Sequence, residues 1–214
     1  MIQVRLIVMA KAPVSGRSKT RLCPPCTGAE AARLAEAALQ DTLAAVASAP
    51  VERRVLALAG RAGDWVPPNF DVLRQRGDGL ANRLAHAFAA VGGPSLLIGM
   101  DTPQVTSAML AEASAKLLEE GTDAVLGPAP DGGYWAIGLT AADAAVFRDV
   151  PMSSSRTAAA QRERLRALGL RHAELRTLRD VDTIDDARAV AAEAPASRFA
   201  RALARLRHVS PTLA

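Results

Sequence analysis

Short apolar runs of strand length alternate with stretches of helical length almost from one end of the chain to the other, and this alternation narrows the architecture sharply. Arg5 to Met9 is a compact apolar run, and a polar loop leads from it into a helix from about Gly28 to Ser48 with Leu34, Ala38 and Val46 on one stripe. Further strands are expected at Arg54 to Ala59, Asp71 to Arg74, Ser95 to Gly99 and Ala124 to Gly127, and helices at Leu80 to Val91 and Ser107 to Glu120. Only the turn Asp131-Gly132-Gly133 precedes the apolar run Tyr134 to Leu139, so that strand should lie beside a neighbour without a crossover. Three helical stretches close the chain, near Arg156 to Leu168, Ile184 to Ala192 and Ser197 to Arg207. Repeated βαβ order predicts an α/β fold with a mostly parallel sheet covered on both faces. With 214 residues, and no internal repeat or low-complexity linker, residues 1–214 read as one domain.

Half of the residues are hydrophobic, enough for a chain of this length to bury a large core without staples. No apolar run reaches the roughly 18 residues that a bilayer span needs. The opening segment, apolar from Val4 to Ala10, lacks a basic leader and a small-residue cleavage site, which predicts a buried first strand in a cytoplasmic protein. A net charge of +4, with seven aromatic residues in all, does not describe a nucleic-acid binder and suits small anionic substrates better. Cys23-Pro24-Pro25-Cys26 has dithiol spacing, but His86, His172 and His208 are scattered singly and complete no zinc site. Reduced thiols in a rigid turn are the expectation.

In an open α/β sheet the ligand sits beyond the carboxyl ends of the strands, where strand order reverses. The loops after Met9, Gly99 and Gly127 are therefore where chemistry is expected. The first, Lys11 to Arg21, places Gly16 among Lys11, Arg17, Lys19 and Arg21, a cradle for a polyphosphate; it lacks the glycine spacing of a P-loop, and a solvated basic loop is the plainer alternative. The second sets Asp101 at a strand end, where it can ligate Mg²⁺ (or Mn²⁺) or cap the next helix. In Arg179 to Asp186, carboxylates at i and i+2 could share one ion, or one could hold it while the other orients a ligand, and Thr183 or Asp182 could also cap a helix.

Gln75, Gly77, Asp78, Gly79 and Arg83 form a turn and helix start that suits a ribose or base contact, or serves as a plain turn. Ser154 and Arg156 offer an anion contact at a helix start, or a simple cap. Asp131 beside Tyr134 and Trp135 reads either as a tight turn before a packed strand or, preferably, as an acceptor-binding wall in which Asp131 activates a hydroxyl.

Lys11-Ala12-Pro13 with Gly16 to Leu22, Gln75 to Leu80, Gly99 to Pro103, Asp131 to Trp135 and Arg179 to Thr183, in that order, resemble the bacterial glycosyltransferase-A-like family of nucleotide-diphospho-sugar transferases. They are more distantly similar to 2-phospholactate guanylyltransferase and molybdenum cofactor guanylyltransferase. The resemblance runs from about Met1 to Ala192 and implies a GT-A fold, a Rossmann-like three-layer sandwich with nucleotide near the first loop. It implies that Asp101 and Asp182 hold Mg²⁺ and that Lys19 contacts the transferred phosphate. The guanylyltransferases open with a longer glycine-rich signature where this chain has a lysine-proline start, which leaves the base undetermined.

The expected function is Mg²⁺-dependent transfer of NMP from a nucleoside triphosphate to a small phosphorylated or anionic acceptor, with Lys19, Asp101 and Asp131 catalytic. The alternatives are a GT-A glycosyltransferase using an NDP-sugar donor, and a non-catalytic nucleotide-binding module. Ser197 to Arg207, with Phe199, Leu203 and Leu206 on one face, is expected to pack on the domain or against a second copy in a homodimer in preference to a membrane surface.

Overall fold

A computed structural model describes residues 2–206; Met1, Arg207 and His208 lie outside the described residues. Seven strands, β1 (Ile2–Lys11), β2 (Val51–Ala59), β3 (Asp71–Arg74), β4 (Ser95–Gly99), β5 (Ala124–Pro128), β6 (Tyr134–Leu139) and β7 (His172–Glu174), form one sheet in the order β3-β2-β1-β4-β6-β5-β7. All pairs are parallel except those of β6, which runs antiparallel to both β4 and β5. A parallel return needs a crossover of a dozen or more residues. The turn between β5 and β6 is instead closed by Gly132 N–H to Ala129 O and Ala129 N–H to Gly133 O, so the strand must double back.

The long apolar run of β1 reflects burial on both faces. Val4, Leu6 and Val8 join the core beneath α1 (Gly28–Ala47) and α3 (Ser107–Leu117), while Ile7 faces the core that holds Leu84 and Phe88 of α2 (Gly79–Val91) and Leu165 of α4 (Thr157–Ala167). Helix α1 begins with a reciprocal cap in which Glu30 N–H donates to Thr27 and Thr27 N–H donates to Glu30. It then buries two sides. Leu39, Leu43 and Val46 meet the sheet, and Ala31, Leu34 and Ala38 meet α5 (Ile184–Glu193) and α6 (Arg198–Ala204). Phe199 and Leu203 of α6 are buried there, so its apolar stripe is spent on the domain and is not offered to a lipid surface. Among the described residues no helix is long and apolar enough to cross a membrane.

The expected elements are present, with some ends shifted, as where β1 starts at Ile2 and α3 stops at Leu117, and with one strand added. Strand β2 starts at Val51, before Arg54, whose guanidinium donates to Val46 O and Ala49 O at the end of α1. Strand β7 is only His-Ala-Glu, too short and polar for any alternation pattern, and exists because β5 offers it an edge. Strand order reverses at β1, with β2 on one side and β4 on the other, so their carboxyl ends open where a ligand site is expected.

Candidate functional site

The loop after β1 turns back through Lys19, which adopts left-handed backbone angles (φ 50°, ψ 42°) ahead of a single helical turn at Thr20–Leu22. Leu22 sinks into the core beside α1 and anchors that turn. Lys19 Nζ is thereby carried inward, with its side chain only 10% exposed, to a point between the loops after β4 and β7. It donates to Val181 O and pairs with Asp101 Oδ2 at 2.9 Å and Asp182 Oδ1 at 3.3 Å. Burial lowers the pKa of the ammonium, but the charges of Asp101 and Asp182 outweigh it and hold Lys19 above the ordinary lysine value, so it stays cationic. Arg21 Nη1 takes the other oxygen of Asp182 at 2.9 Å.

Both aspartates are free for this because other residues do the capping. Thr106 caps α3, accepting from Met109 N–H at 3.2 Å, and Thr183 with Asp186 makes the reciprocal cap of α5. Val181 N–H donating to Asp101 O (2.9 Å) and Gln104 Nε2 donating to Arg179 O (2.6 Å) stitch the two loops together.

A second acidic group adjoins the first. Asp131, Asp180 and Asp182 each bring a carboxylate oxygen to within 4.8 Å of the others. Burial, then the neighbouring charges of Asp131 and Asp182, push the Asp180 carboxyl up to about 6, against a smaller opposite pull from Lys19. Three hard oxygen donors that repel one another in this way suit an Mg²⁺- or Mn²⁺-type ion. The turn carrying Asp131 is fixed: Gly133 N–H donates to Asp131 Oδ1, and Ala158 N–H at the start of α4 donates to Gly132 O, both at 2.8 Å. Gly132 has φ +88°, and a Cβ there would lie 1.9 Å from Ser155 O, so only glycine fits.

Beside Lys19 opens a cleft of about 1130 Å³ lined by Lys11, Arg17, Lys19, Arg21, Arg83, Asp101 and Asp182 among others. Gly16 (φ +72°) is not among the lining residues; it packs at the start of α1, where a Cβ on Gly28 would lie 2.9 Å from its nitrogen. Gln75, Gly77, Asp78 and Gly79 do not line the cleft either. Gln75 Nε2 instead ties Ala10 O of β1 to Ala57 O of β2, and Gly77 O accepts from Arg83 Nε, which tethers that cation at the cleft wall.

The expected acceptor wall is not formed. Trp135 is 3% exposed, packed in the core, and its indole N–H donates to Arg176 O. Tyr134 places its hydroxyl near Gln161 Oε1 (3.4 Å) and Met152, and burial pushes its pKa far above the usual phenol value. The reason is that β6 lies inside the sheet with both faces covered. Ser154 and Arg156 shape the entry to α4, Arg156 N–H donating to Ser154 Oγ, and do not line the cleft. Cys26 is buried against α1, and burial together with Glu30 raises its thiol pKa, as suits a packed cysteine.

The spacing of Asp180-Val181-Asp182 offered Asp180 as a partner of Asp182, and the fold adds Asp131 to complete the three-carboxylate group. One contribution escapes sequence reasoning. Gly60, Arg61 and Trp65, from the glycine- and proline-rich loop after β2, complete the cleft.

The pattern of a bacterial family, described as "Uncharacterized protein conserved in bacteria (DUF2064)", matches residues 33–154. The chain belongs to this family. No curated protein matches it. Among solved structures, this DUF2064 chain is similar to a protein from Desulfovibrio desulfuricans G20 provisionally named a nucleotide-diphospho-sugar transferase, with a TM-score of 0.88 at 24% identity, over 98% of this chain and 97% of that one. It is also similar to a nucleotidyl transferase from Methanothermobacter thermautotroptrophicus (TM-score 0.60, 18% identity, 93% and 98% covered). A third likeness is to the Rv0371C protein of Mycobacterium tuberculosis H37Rv in complex with manganese (TM-score 0.50, 22% identity, 88% and 97% covered). These likenesses establish the GT-A-type, Rossmann-like fold that the motifs of the DUF2064 chain resemble.

Proposed function

We propose that this chain is a nucleotidyltransferase that works with Mg²⁺ or Mn²⁺, moving NMP from a nucleoside triphosphate to a small phosphorylated or anionic acceptor. The observation that carries the reading is the junction at Lys19, where a cation-lined cleft meets Asp101, Asp182 and the three-carboxylate group. Lys11, Arg17, Arg21 and Arg83 supply the charge that a triphosphate requires, more than a diphosphate needs. The names of the nucleotidyl transferase and of the manganese complex among the similar structures support the same reading.

An acceptor oxygen attacks the α-phosphorus, a new P–O bond forms, and the bond to the β-phosphate oxygen breaks so that pyrophosphate leaves with the electron pair. Asp131, Asp180 and Asp182 would hold the cation, which when bound polarises phosphate oxygens and offsets developing charge. Lys19, whose Nζ contacts Asp101, Asp182 and Val181 O, sets a fixed positive charge where the cleft meets the carboxylates. The cations along the wall hold the leaving pyrophosphate in line.

A second reading, glycosyl transfer from an NDP-sugar, is favoured by the name given to the Desulfovibrio protein. Incubation with each NTP, Mg²⁺ or Mn²⁺, and a panel of sugar phosphates and phosphorylated hydroxy acids should release pyrophosphate. Hydrolysis of nucleotide-sugars, with no pyrophosphate from any NTP, would transfer the assignment to the second reading.

A further inference from the structure

The cleft is lined in part by the loop after β2, which contributes Gly60, Arg61 and Trp65. Trp65 is the only aromatic side chain that lines it among the described residues. The indole is half-buried and packed against the main core, so one part of it is immobilised while another borders the cleft. Its seat is built. A Cβ on Gly63 would lie 2.6 Å from Trp65 Nε1 and 2.9 Å from the neighbouring ring carbon, so only glycine lets the ring settle there. Val66 N–H donates to Gly63 O at 3.1 Å and closes the turn that carries it.

The loop is also fastened beside the cationic cradle. Gly60 has φ +111°, and a Cβ there would come within 2.7 Å of Ala12 Cβ, while Ala12 N–H donates to Ala59 O at 2.8 Å. A cleft of about 1130 Å³ accommodates a whole nucleotide and is more than a bare polyphosphate fills. The lining cations, Arg61 of the same loop included, answer polyphosphate charge, and the Trp65 indole is the planar ring left to meet a base.

We propose that Trp65 is the platform on which the nucleobase of the donor stacks, which makes the ligand of this cleft a base-bearing nucleotide and not an inorganic polyphosphate. This rests on the nucleotide reading above and adds which side chain engages the base. Stacking is tolerant of base identity because every base has a π-face, so Trp65 contributes affinity for all four NTPs, and polar groups at the base edge set any preference.

The test compares inorganic tripolyphosphate with ATP, GTP, CTP and UTP, each with Mg²⁺, by titration calorimetry on wild type, Trp65→Ala and Trp65→Phe. Trp65→Ala should weaken the best-bound NTP by roughly 5- to 150-fold, Trp65→Phe should recover most of that loss, and tripolyphosphate binding should be unchanged in both. A wild-type readout needs no variant. The chain has two tryptophans, and Trp135 is sealed in the core, so an NTP should change the emission of Trp65 where tripolyphosphate does not, and Trp65→Phe should abolish the change. Equal loss of NTP and tripolyphosphate binding, or NTP binding indifferent to both substitutions, overturns the stacking proposal and leaves the phosphate cradle standing. If wild type binds tripolyphosphate as tightly as any NTP, stacking is again refuted. If it binds neither, the nucleotide reading itself fails.

Discussion

Replacing Lys19 by methionine removes one positive charge from the junction of the cleft and the carboxylates while keeping much of the side-chain volume. The ammonium lies 3.3 Å from Asp182 Oδ1. An ion ligated through that oxygen at the usual ~2.2 Å is therefore at most about 5.5 Å from Nζ. Even with the dielectric constant of water, a divalent ion and a unit charge at that separation repel by about 1.5 kcal/mol. Deleting the charge should tighten Mn²⁺ binding about tenfold, measured on nucleotide-free protein from the free Mn²⁺ signal in electron paramagnetic resonance.

Nucleotide binding should move the opposite way, because the same substitution takes a cation from the phosphate end. Stability should fall by about 1 to 3 kcal/mol: a buried pair broken on one side costs more, but Asp101 and Asp182 are each about one-third exposed and solvent screens them. Weaker or unchanged Mn²⁺ affinity in a folded Lys19→Met protein would show that the ion does not sit with Asp182, and the site as described would be wrong.

The remaining expectations concern the walls of the site. Because the Asp180 carboxyl is held at about 6, above the ordinary aspartate range, Mn²⁺ affinity should fall as pH is lowered through about 6 and Asp180→Asn should lose that step. With chelator present the sign reverses: the folded state takes up the proton more readily than the unfolded chain, so this group's contribution makes the metal-free protein less stable as pH rises from about 4 to about 6, and melting temperatures of Asp180→Asn should lack that slope. Gly132→Ala, which drives a Cβ against Ser155 O, should lower the melting temperature by several degrees and weaken Mn²⁺ binding together, since the displaced turn carries Asp131. Trp135→Ala should cost about 3 to 5 kcal/mol of unfolding free energy in a denaturant titration, as for any large buried ring, whereas a surface acceptor wall would have cost little.

Strand and helix order could be read directly from the chain. β1 carries the uninterrupted apolar run Leu6 to Ala10 because both its faces are covered there, and α1 declares itself by Thr27 and Glu30 at its start and by stripes of leucine and alanine along its length. The backward turn before β6 was equally legible, since the short turn around Asp131-Gly132-Gly133 has no room for a crossover. The cationic loop and Asp182 could be nominated because cations beyond a first strand and carboxylates two residues apart have few other uses, though capping was a rival explanation for each acid.

Which acids act together was decided only by the fold. Lys11 to Arg21, Asp101, Asp131 and Asp180 to Asp182 sit in four segments, and their meeting depends on strand order in the sheet, which local patterns do not encode. Thr106 and Thr183 had to take the capping duties before Asp101 and Asp182 were free to face Lys19, a choice settled by backbone geometry at each helix start. Trp135 and Trp65 make the same point in opposite directions. A tryptophan beside a carboxylate looked like a binding wall and proved to be core, and one in an unremarkable loop came to line the cleft, because exposure belongs to the packed molecule and not to the residue type.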